Sequence, residues 1–132
     1  MFDYATLGTS DLARALRFYD ALLAPLGHVR RWTGEDGASW AVPQDPAAPF
    51  LYVGKPFDGG PATRGNGAML AFRAPSTALV RELHRLALAL GGTDEGAPGL
   101  RPRYAPDFYG AYARDPDGNK LAFVCRGPAA LA

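Results

Sequence analysis

The chain carries one series of secondary-structure signals that occurs twice. A short apolar segment typical of a strand, an amphipathic helical segment and up to three further strand segments follow one another in residues 1–56 and again in residues 67–126. Equivalent positions keep one constant offset along the chain: Tyr4 with Met69, Leu7 with Phe72, Asp11 with Ser76, and Gly27 with Gly92. An internal repeat of this kind predicts two modules of similar structure.

Two helices are predicted from apolar residues that recur at helical spacing over residues 11–26 and 76–90. Ser10 or Asp11 is suited to cap the first helix, and Ser76 is suited to cap the second. Glycines follow each helical pattern, Gly27 after the first and a Gly-Gly pair after the second, as is common at helix ends.

Short segments rich in β-branched and aromatic residues predict the strands. They cover residues 2–9, 28–33, 39–43, 50–54, 68–74, 108–114 and 120–126. The last two form a hairpin around Asp115–Asn119, where Pro116 presets the turn and Gly118 can take positive φ. Residues 93–107 look irregular, with a strand predicted near 100–104, and Gly- and Pro-rich residues 57–66 are typical of a linker. Strand runs with helices set apart predict an α+β domain.

Bulk composition narrows the function classes. A length of 132 residues fits one domain. With 14 basic and 13 acidic residues, the composition shows no excess of positive charge of the kind that binds nucleic acid or a membrane surface. No apolar run is long enough to span a bilayer, and the start of the chain lacks signal-peptide features. Cys125 is the single cysteine, so no intramolecular disulfide can form. We expect a soluble cytoplasmic protein.

The most specific local sequences are LGTSDLARALRFYD at 7–20, AFRAPS at 71–76 and RDPDGN at 114–119. Together they resemble the glyoxalase/bleomycin-resistance/extradiol-dioxygenase superfamily, also called the vicinal oxygen chelate proteins. The resemblance covers nearly the whole chain. It implies a single domain, 1–132, in which two βαβββ modules (1–56 and 67–126, with a linker at 57–66) form a curved mixed sheet around a cleft. Many members are homodimers, so a homodimer is expected.

Metal-dependent members of that superfamily place a His on the first strand of each module and a Glu on the last strand. The matching positions here are Tyr4, Met69 and Ala122, with a fourth ligand position near Leu51 or Tyr52. Tyr is a poor ligand at neutral pH because its pKa is near 10, the Met thioether suits soft ions, and Ala donates nothing. We therefore expect no metal site of the family type and no cofactor.

The histidines and the cysteine, which could in principle be catalytic or metal-binding, are interpreted as structural residues. His28 follows Gly27 at a helix-to-strand junction and is interpreted as a surface or capping residue. His84 lies beside the apolar stripe of the second helix and is interpreted as a helix-surface residue. Cys125 is interpreted as a small packed side chain. The sequence thus identifies no catalytic residue.

The candidate ligand-binding residues are mostly aromatic. Large flat rings with polar tips suit a small partly aromatic molecule, and an arginine suits a carboxylate or phosphate. The set comprises the three family positions and a rim clustered over residues 103–112: Tyr4, Trp40, Tyr52, Met69, Arg103, Tyr104, Tyr109, Tyr112 and Ala122.

Three functions compete at this point. The first is a metal-free superfamily member that binds a small, partly aromatic or apolar molecule in its cleft, as a sequestering protein or a cofactor-free enzyme. The second is a metal-dependent lyase, isomerase or ring-cleaving dioxygenase. The third is a non-catalytic interaction scaffold whose cleft is filled by side chains. A cavity of roughly 300 Å³ or more favours the first, and a bound divalent metal favours the second.

Overall fold

The computed structural model describes residues 1–132, and they form an α+β fold, as predicted. The first module consists of β1 (Tyr4–Gly8), α1 (Leu12–Leu23), a 3₁₀ turn (Ala24–Leu26), β2 (Val29–Thr33), β3 (Gly37–Ala41) and β4 (Phe50–Gly54). The second consists of β5 (Leu70–Arg73), α2 (Thr77–Ala89), β6 (Thr93–Leu100), β7 (Phe108–Arg114) and β8 (Lys120–Arg126), followed by a 3₁₀ segment (Gly127–Leu131).

Each module builds its own four-stranded mixed sheet with the same topology. The first sheet has the order β1-β4-β3-β2 and the second has the order β5-β8-β7-β6. The first strand of each module pairs in parallel with the last, and the remaining neighbours are antiparallel. The predicted pair of βαβββ modules is therefore confirmed, with two separate sheets.

The two helices begin in the same way at equivalent positions. The Asp11 carboxylate accepts from the Arg14 N–H at 3.1 Å, and the Ser76 hydroxyl accepts from the Leu79 N–H at 3.1 Å. Each cap satisfies an N–H group that the first helical turn leaves without a partner. Neither helix is long and apolar enough to cross a membrane.

One hydrophobic core joins the two modules on their helix side. Its 19 buried residues include Phe18, Tyr19 and Trp40 from the first module and Leu83 and Phe123 from the second. Each large side chain buried in this way contributes about 2 kcal/mol. Because these residues form one continuous cluster, the cores of the two modules are joined.

The turn between β7 and β8 ties the second module to the first. The Tyr19 hydroxyl donates to Asp115 at 2.5 Å, the Thr9 hydroxyl donates to Asp117 at 2.6 Å, and the Asn119 side-chain amide donates to the Gly8 carbonyl at 2.9 Å. Burial raises the pKa of the Asp115 carboxyl, although its hydrogen bonds from Tyr19 and Asn119 act in the opposite direction. Burial first, and then the charge of Asp115, raise the pKa of Tyr19 well above its ordinary value.

Three local predictions need correction. The strand predicted near 100–104 is β6, Thr93–Leu100, whose three glycine and proline residues hide its β-character. The first helix ends at Leu23, because Pro25 cannot continue the α-helical hydrogen bonding and sits in a 3₁₀ turn. His84 was predicted to be a helix-surface residue, but it is buried, with 7% of its surface exposed. Its Nε2 lies 2.9 Å from Asp94 Oδ1.

Candidate ligand-binding site

The second sheet has one face in the shared core and one face open to solvent. Along β8, Leu121, Phe123 and Cys125 belong to the core, so the alternating residues point to the opposite side. We call that side the open face of the second sheet. It holds a wide-mouthed cavity of about 760 Å³. Its lining is Met69, Ala71, Glu95, Gly96, Arg101, Arg103, Tyr104, Phe108, Tyr112, Lys120, Ala122, Val124 and Arg126.

Aromatic and small apolar side chains form the floor and walls of this cavity. Phe108, Ala122 and Val124 make a small buried cluster, and Tyr112 packs against it. The ring of Tyr104 meets the ring of Phe108 edge-on, with centroids 5.2 Å apart. A planar molecule entering the cavity therefore meets the rings of Tyr104 and Tyr112 beside an apolar base that includes Phe108.

Four cationic side chains line the same cavity, and each lies over one of its rings. The Arg101 and Lys120 charges both lie 5.7 Å from the centroid of Tyr112. Their companions are Arg103, 4.9 Å from the Tyr104 centroid, and Arg126, 4.6 Å from the Phe108 centroid. The aromatic faces attract these cations and hold them at the cavity wall.

None of the four cations forms an ion pair with a carboxylate. Glu95 is the single acidic residue of the lining, and its Oε1 lies 2.6 Å from Nε of Arg114, which is outside the lining. The hydrogen bond from Arg114 holds the pKa of Glu95 below its usual range. The cavity is therefore strongly positive, with its one negative charge already engaged.

The open face of the first sheet differs in character. Tyr4 stacks on Phe50 with centroids 5.0 Å apart, and Trp32 stacks on Tyr52 with centroids 6.2 Å apart. Arg31 lies over the Phe50 ring at 4.3 Å. No residue of this face lines the cavity of the second sheet.

The structure divides the nine predicted ligand-binding residues into three groups. Five line the cavity: Met69, Arg103, Tyr104, Tyr112 and Ala122. Tyr4 and Tyr52 lie on the open face of the first sheet, away from it. Trp40 and Tyr109 lie on the helix side of their sheets.

Trp40 and Tyr109 thus lie away from the cavity, and strand alternation is the reason. Trp40 is fully buried, packs against Tyr19 and donates from Nε1 to Asp20 at 2.8 Å. Tyr109 is partly buried against the core, and its hydroxyl accepts from Arg81 at 3.2 Å. Tyr109 and Tyr112 are separated by an odd number of positions on one strand, so they face opposite sides.

The sequence prediction missed Phe108, Arg101, Lys120 and Arg126. Three of them share a readable signal, because Phe108 has the same strand parity as Tyr112, and Lys120 and Arg126 have the same parity as Ala122. Arg101 follows β6, whose course the sequence pattern did not predict.

The family metal positions do not form a donor set for a divalent ion in this chain. Met69 and Ala122 line the cavity, whereas Tyr4 stacks on Phe50 on the other sheet. Divalent transition metals in such sites need several nitrogen or oxygen donors at one point. The structure brings together no group of three or more His, Cys, Asp or Glu residues that could hold a metal ion.

Comparisons with known proteins agree with this fold. A crystal structure of a glyoxalase/bleomycin resistance protein from Albidiferax ferrireducens is 38% identical, covers 96% of this chain and 99% of its own, and gives a TM-score of 0.84. A glyoxalase-related enzyme from Fulvimarina pelagi is 20% identical over 98% of this chain and 94% of its own, with a TM-score of 0.73.

A glyoxalase/bleomycin resistance protein/dioxygenase family enzyme from Burkholderia phytofirmans is 19% identical over 95% of this chain and 98% of its own, with a TM-score of 0.73. No curated protein matches the chain. The family model described as Glyoxalase/Bleomycin resistance protein/Dioxygenase superfamily matches residues 1–123. The two-module fold, the sequence identity and this match together establish that the chain belongs to the glyoxalase/bleomycin resistance protein/dioxygenase superfamily.

Proposed function

We propose that this protein binds a small, partly aromatic molecule in the cavity on the open face of its second sheet, without a metal of the family type. The observation that carries the proposal is the cavity of about 760 Å³ walled by Tyr104, Phe108 and Tyr112. Ligand sites are typically concave, mostly apolar and equipped with a few polar groups. This cavity is concave and has an apolar base, its polar groups are mainly charged, and two of the family's metal positions, Met69 and Ala122, line it.

The volume of the cavity supports ligand binding over a purely structural role. An interaction scaffold would have side chains filling this space, whereas here the volume exceeds the roughly 300 Å³ that a small-molecule site needs. The donor chemistry of Tyr4, Met69 and Ala122 gives no support to a metal-dependent lyase, isomerase or dioxygenase.

We also propose that two copies form a homodimer. On the open face of the first sheet, Tyr4, Val29 and Trp32 are 55%, 50% and 52% exposed. Burial of apolar surface contributes about 25 cal/mol per Å², so a second copy that covers this face stabilises the pair. Closed twofold pairing is the commonest arrangement for such chains.

The test is an NMR titration of the protein with β-naphthamide, a neutral planar probe. Amide signals of β7 and β8 should shift, and those of the first sheet should stay in place. Ala71→Trp adds a large ring at an exposed position of the cavity lining and should weaken binding at least about tenfold by steric exclusion. Ala13→Trp makes the same substitution at an exposed position of α1, outside the cavity, and should leave binding unchanged.

The proposal fails if the probe produces no shifts at millimolar concentration. It also fails if the two tryptophan variants weaken binding equally, because the binding surface would then not be the cavity. Far-ultraviolet circular dichroism confirms that both variants keep the fold.

A further inference from the structure

We infer that the cavity selects planar molecules that carry an anionic group, a carboxylate or a phosphate. This inference rests on the proposed binding function and adds the chemical class of the ligand. It is carried by the four cations that share the cavity without a carboxylate partner.

The charge is concentrated locally. The whole chain has a formal net charge of +1, yet the lining holds Arg101, Arg103, Lys120 and Arg126 against the single carboxylate of Glu95. Glu95 is bonded to Arg114 and also feels the charge of Lys120, so one carboxylate is shared among several cations and leaves the lining with an excess of positive charge. A cleft lined by one sign of charge concentrates counter-ions and ligands of the opposite sign.

The geometry provides separate partners for the two parts of such a ligand. The Lys120 ammonium makes no hydrogen bond and no ion pair within the protein, so its three donors are available. The Arg126 guanidinium likewise has no hydrogen-bonded partner, and its planar fork suits two oxygens of a carboxylate or phosphate. The Lys120 and Arg126 side chains lie over the rings of Tyr112 and Phe108, so their movement onto the anionic group gives the flat body of the molecule access to those rings.

The simpler interpretation is that these are solvated cations resting on aromatic rings. Exposed cation–ring pairs of this kind are weakly stabilising by themselves and need no ligand. That interpretation predicts no charge preference among ligands of one shape, whereas the anion site predicts a strong one. The two are separated by probes that differ only in charge.

The experiment uses four probes with the same β-naphthyl body: β-naphthoate, β-naphthyl phosphate, neutral β-naphthamide and cationic β-naphthylmethylammonium. Calorimetry and NMR should show both anions binding at least about tenfold more tightly than the amide, and the ammonium compound binding most weakly. The anion preference should shrink as salt is added, because screening weakens the interaction of charges. The ratio between the two anions shows whether carboxylate or phosphate is preferred.

Variants then assign the effect to named residues. In Lys120→Gln/Arg126→Gln the affinity of the anions should fall to within about threefold of the amide, while amide binding stays within about twofold of wild type. Arg17→Gln is the matched control, because Arg17 is an exposed cation on α1, outside the cavity. It should leave all four affinities unchanged.

The outcomes separate this inference from the proposed function. If the amide binds in the cavity as tightly as the anions, or the ammonium compound binds best, the inference is overturned and the binding function stands. If no probe binds at millimolar concentration, both are overturned. If the double variant lowers amide and anion binding equally, the cations support the fold of the cavity and the inference is overturned.

Discussion

The two modules of this protein have the same frame and different open faces. Their sheets share strand order and parallel pairing, their helices are capped at equivalent residues, and their helix sides meet in one core. On the opposite side, the first sheet presents stacked rings and one cation, and the second presents a cavity with four cations. The helix sides, which pack together in the common core, are alike in the two modules. The open faces, which do not contribute to that core, differ in their side chains.

Side-chain volume at equivalent positions explains how the cavity arises. In the first sheet Thr6 pairs with Tyr52, and in the second Ala71 pairs with Ala122 at the same place in the parallel ladder. The tyrosine covers its sheet and stacks on Trp32. The two alanines leave the space that the rings and cations of β7 and β8 surround.

If both modules belong to one folding unit, a change in the second module must also destabilise the first. Asp115→Ala should show this with the largest effect. The change leaves the Tyr19 hydroxyl and the Asn119 amide without their buried acceptor. We expect it to lower the free energy of unfolding by about 3 kcal/mol. Both tryptophans, Trp32 and Trp40, lie in the first module, so their fluorescence reports a change made in the second.

Urea unfolding followed by tryptophan fluorescence and by circular dichroism should give one coincident transition, shifted equally. The exposed Asp3, whose side chain makes no hydrogen bond, supplies the control; Asp3→Ala should change stability by less than about 0.5 kcal/mol. A fluorescence midpoint that stays at the wild-type value would show that the modules unfold independently.

Exchanging residues between the equivalent positions tests whether side-chain volume determines where the cavity lies. Ala122→Tyr gives the second sheet the residue of the first and should weaken β-naphthamide binding at least about tenfold by occupying the cavity. Tyr52→Ala makes the reverse change on the first sheet and should not alter that affinity. Calorimetric affinities that change in both variants, or in neither, would contradict the argument.

A smaller effect concerns the exposed rings of the first sheet. Wild-type protein should scatter light with twice the 14.0 kDa mass of one chain. Trp32→Asp places a charge on the 52%-exposed ring position and should lower the measured mass toward that of one chain. Leu88→Asp, at a 38%-exposed position on α2, should leave the mass unchanged. A wild-type mass near that of a single chain at micromolar concentration would refute the dimer.

The smallest expected effect is that of chelators, for which we predict no change in melting temperature. Tyr4 and Met69 occupy the equivalent first-strand positions, and neither they nor Ala122 supplies the nitrogen and carboxylate donors that the family's metal requires. Differential scanning calorimetry with and without a chelator checks this, alongside elemental analysis. About one transition metal per chain, with stability lost on its removal, would restore the metal-dependent enzyme as the leading function.

Local signals were sufficient to predict the frame. The bounds of β4, β7 and β8 agree with the sequence prediction, because each is a short, mostly apolar segment bounded by clear turn residues. The cap residues Asp11 and Ser76 were also visible, since capping depends on one side chain and its near neighbours.

The site was harder to predict, because it depends on which way each strand faces. The sequence grouped Tyr109 with Tyr112 and so mixed core and open-face residues. It also left out Lys120 and Arg126, since charged residues at strand ends are usually solvated. The cavity itself results from missing volume at Ala71 and Ala122, and a small residue carries no sequence signal for the space beside it.

The hydrogen bonds around Asp115 and Asn119 have a consequence for how the protein is made. They join residues 96 and 111 positions apart, between the first helix and strand and the turn of the β7–β8 hairpin. Contacts of such long range are slow to form, because the intervening chain must first be ordered. On the ribosome, the first module cannot reach its final state until the hairpin has been synthesised. Until then, the core residues of the first module lack their partners from the second, and apolar surface exposed in this way makes a chain prone to aggregate.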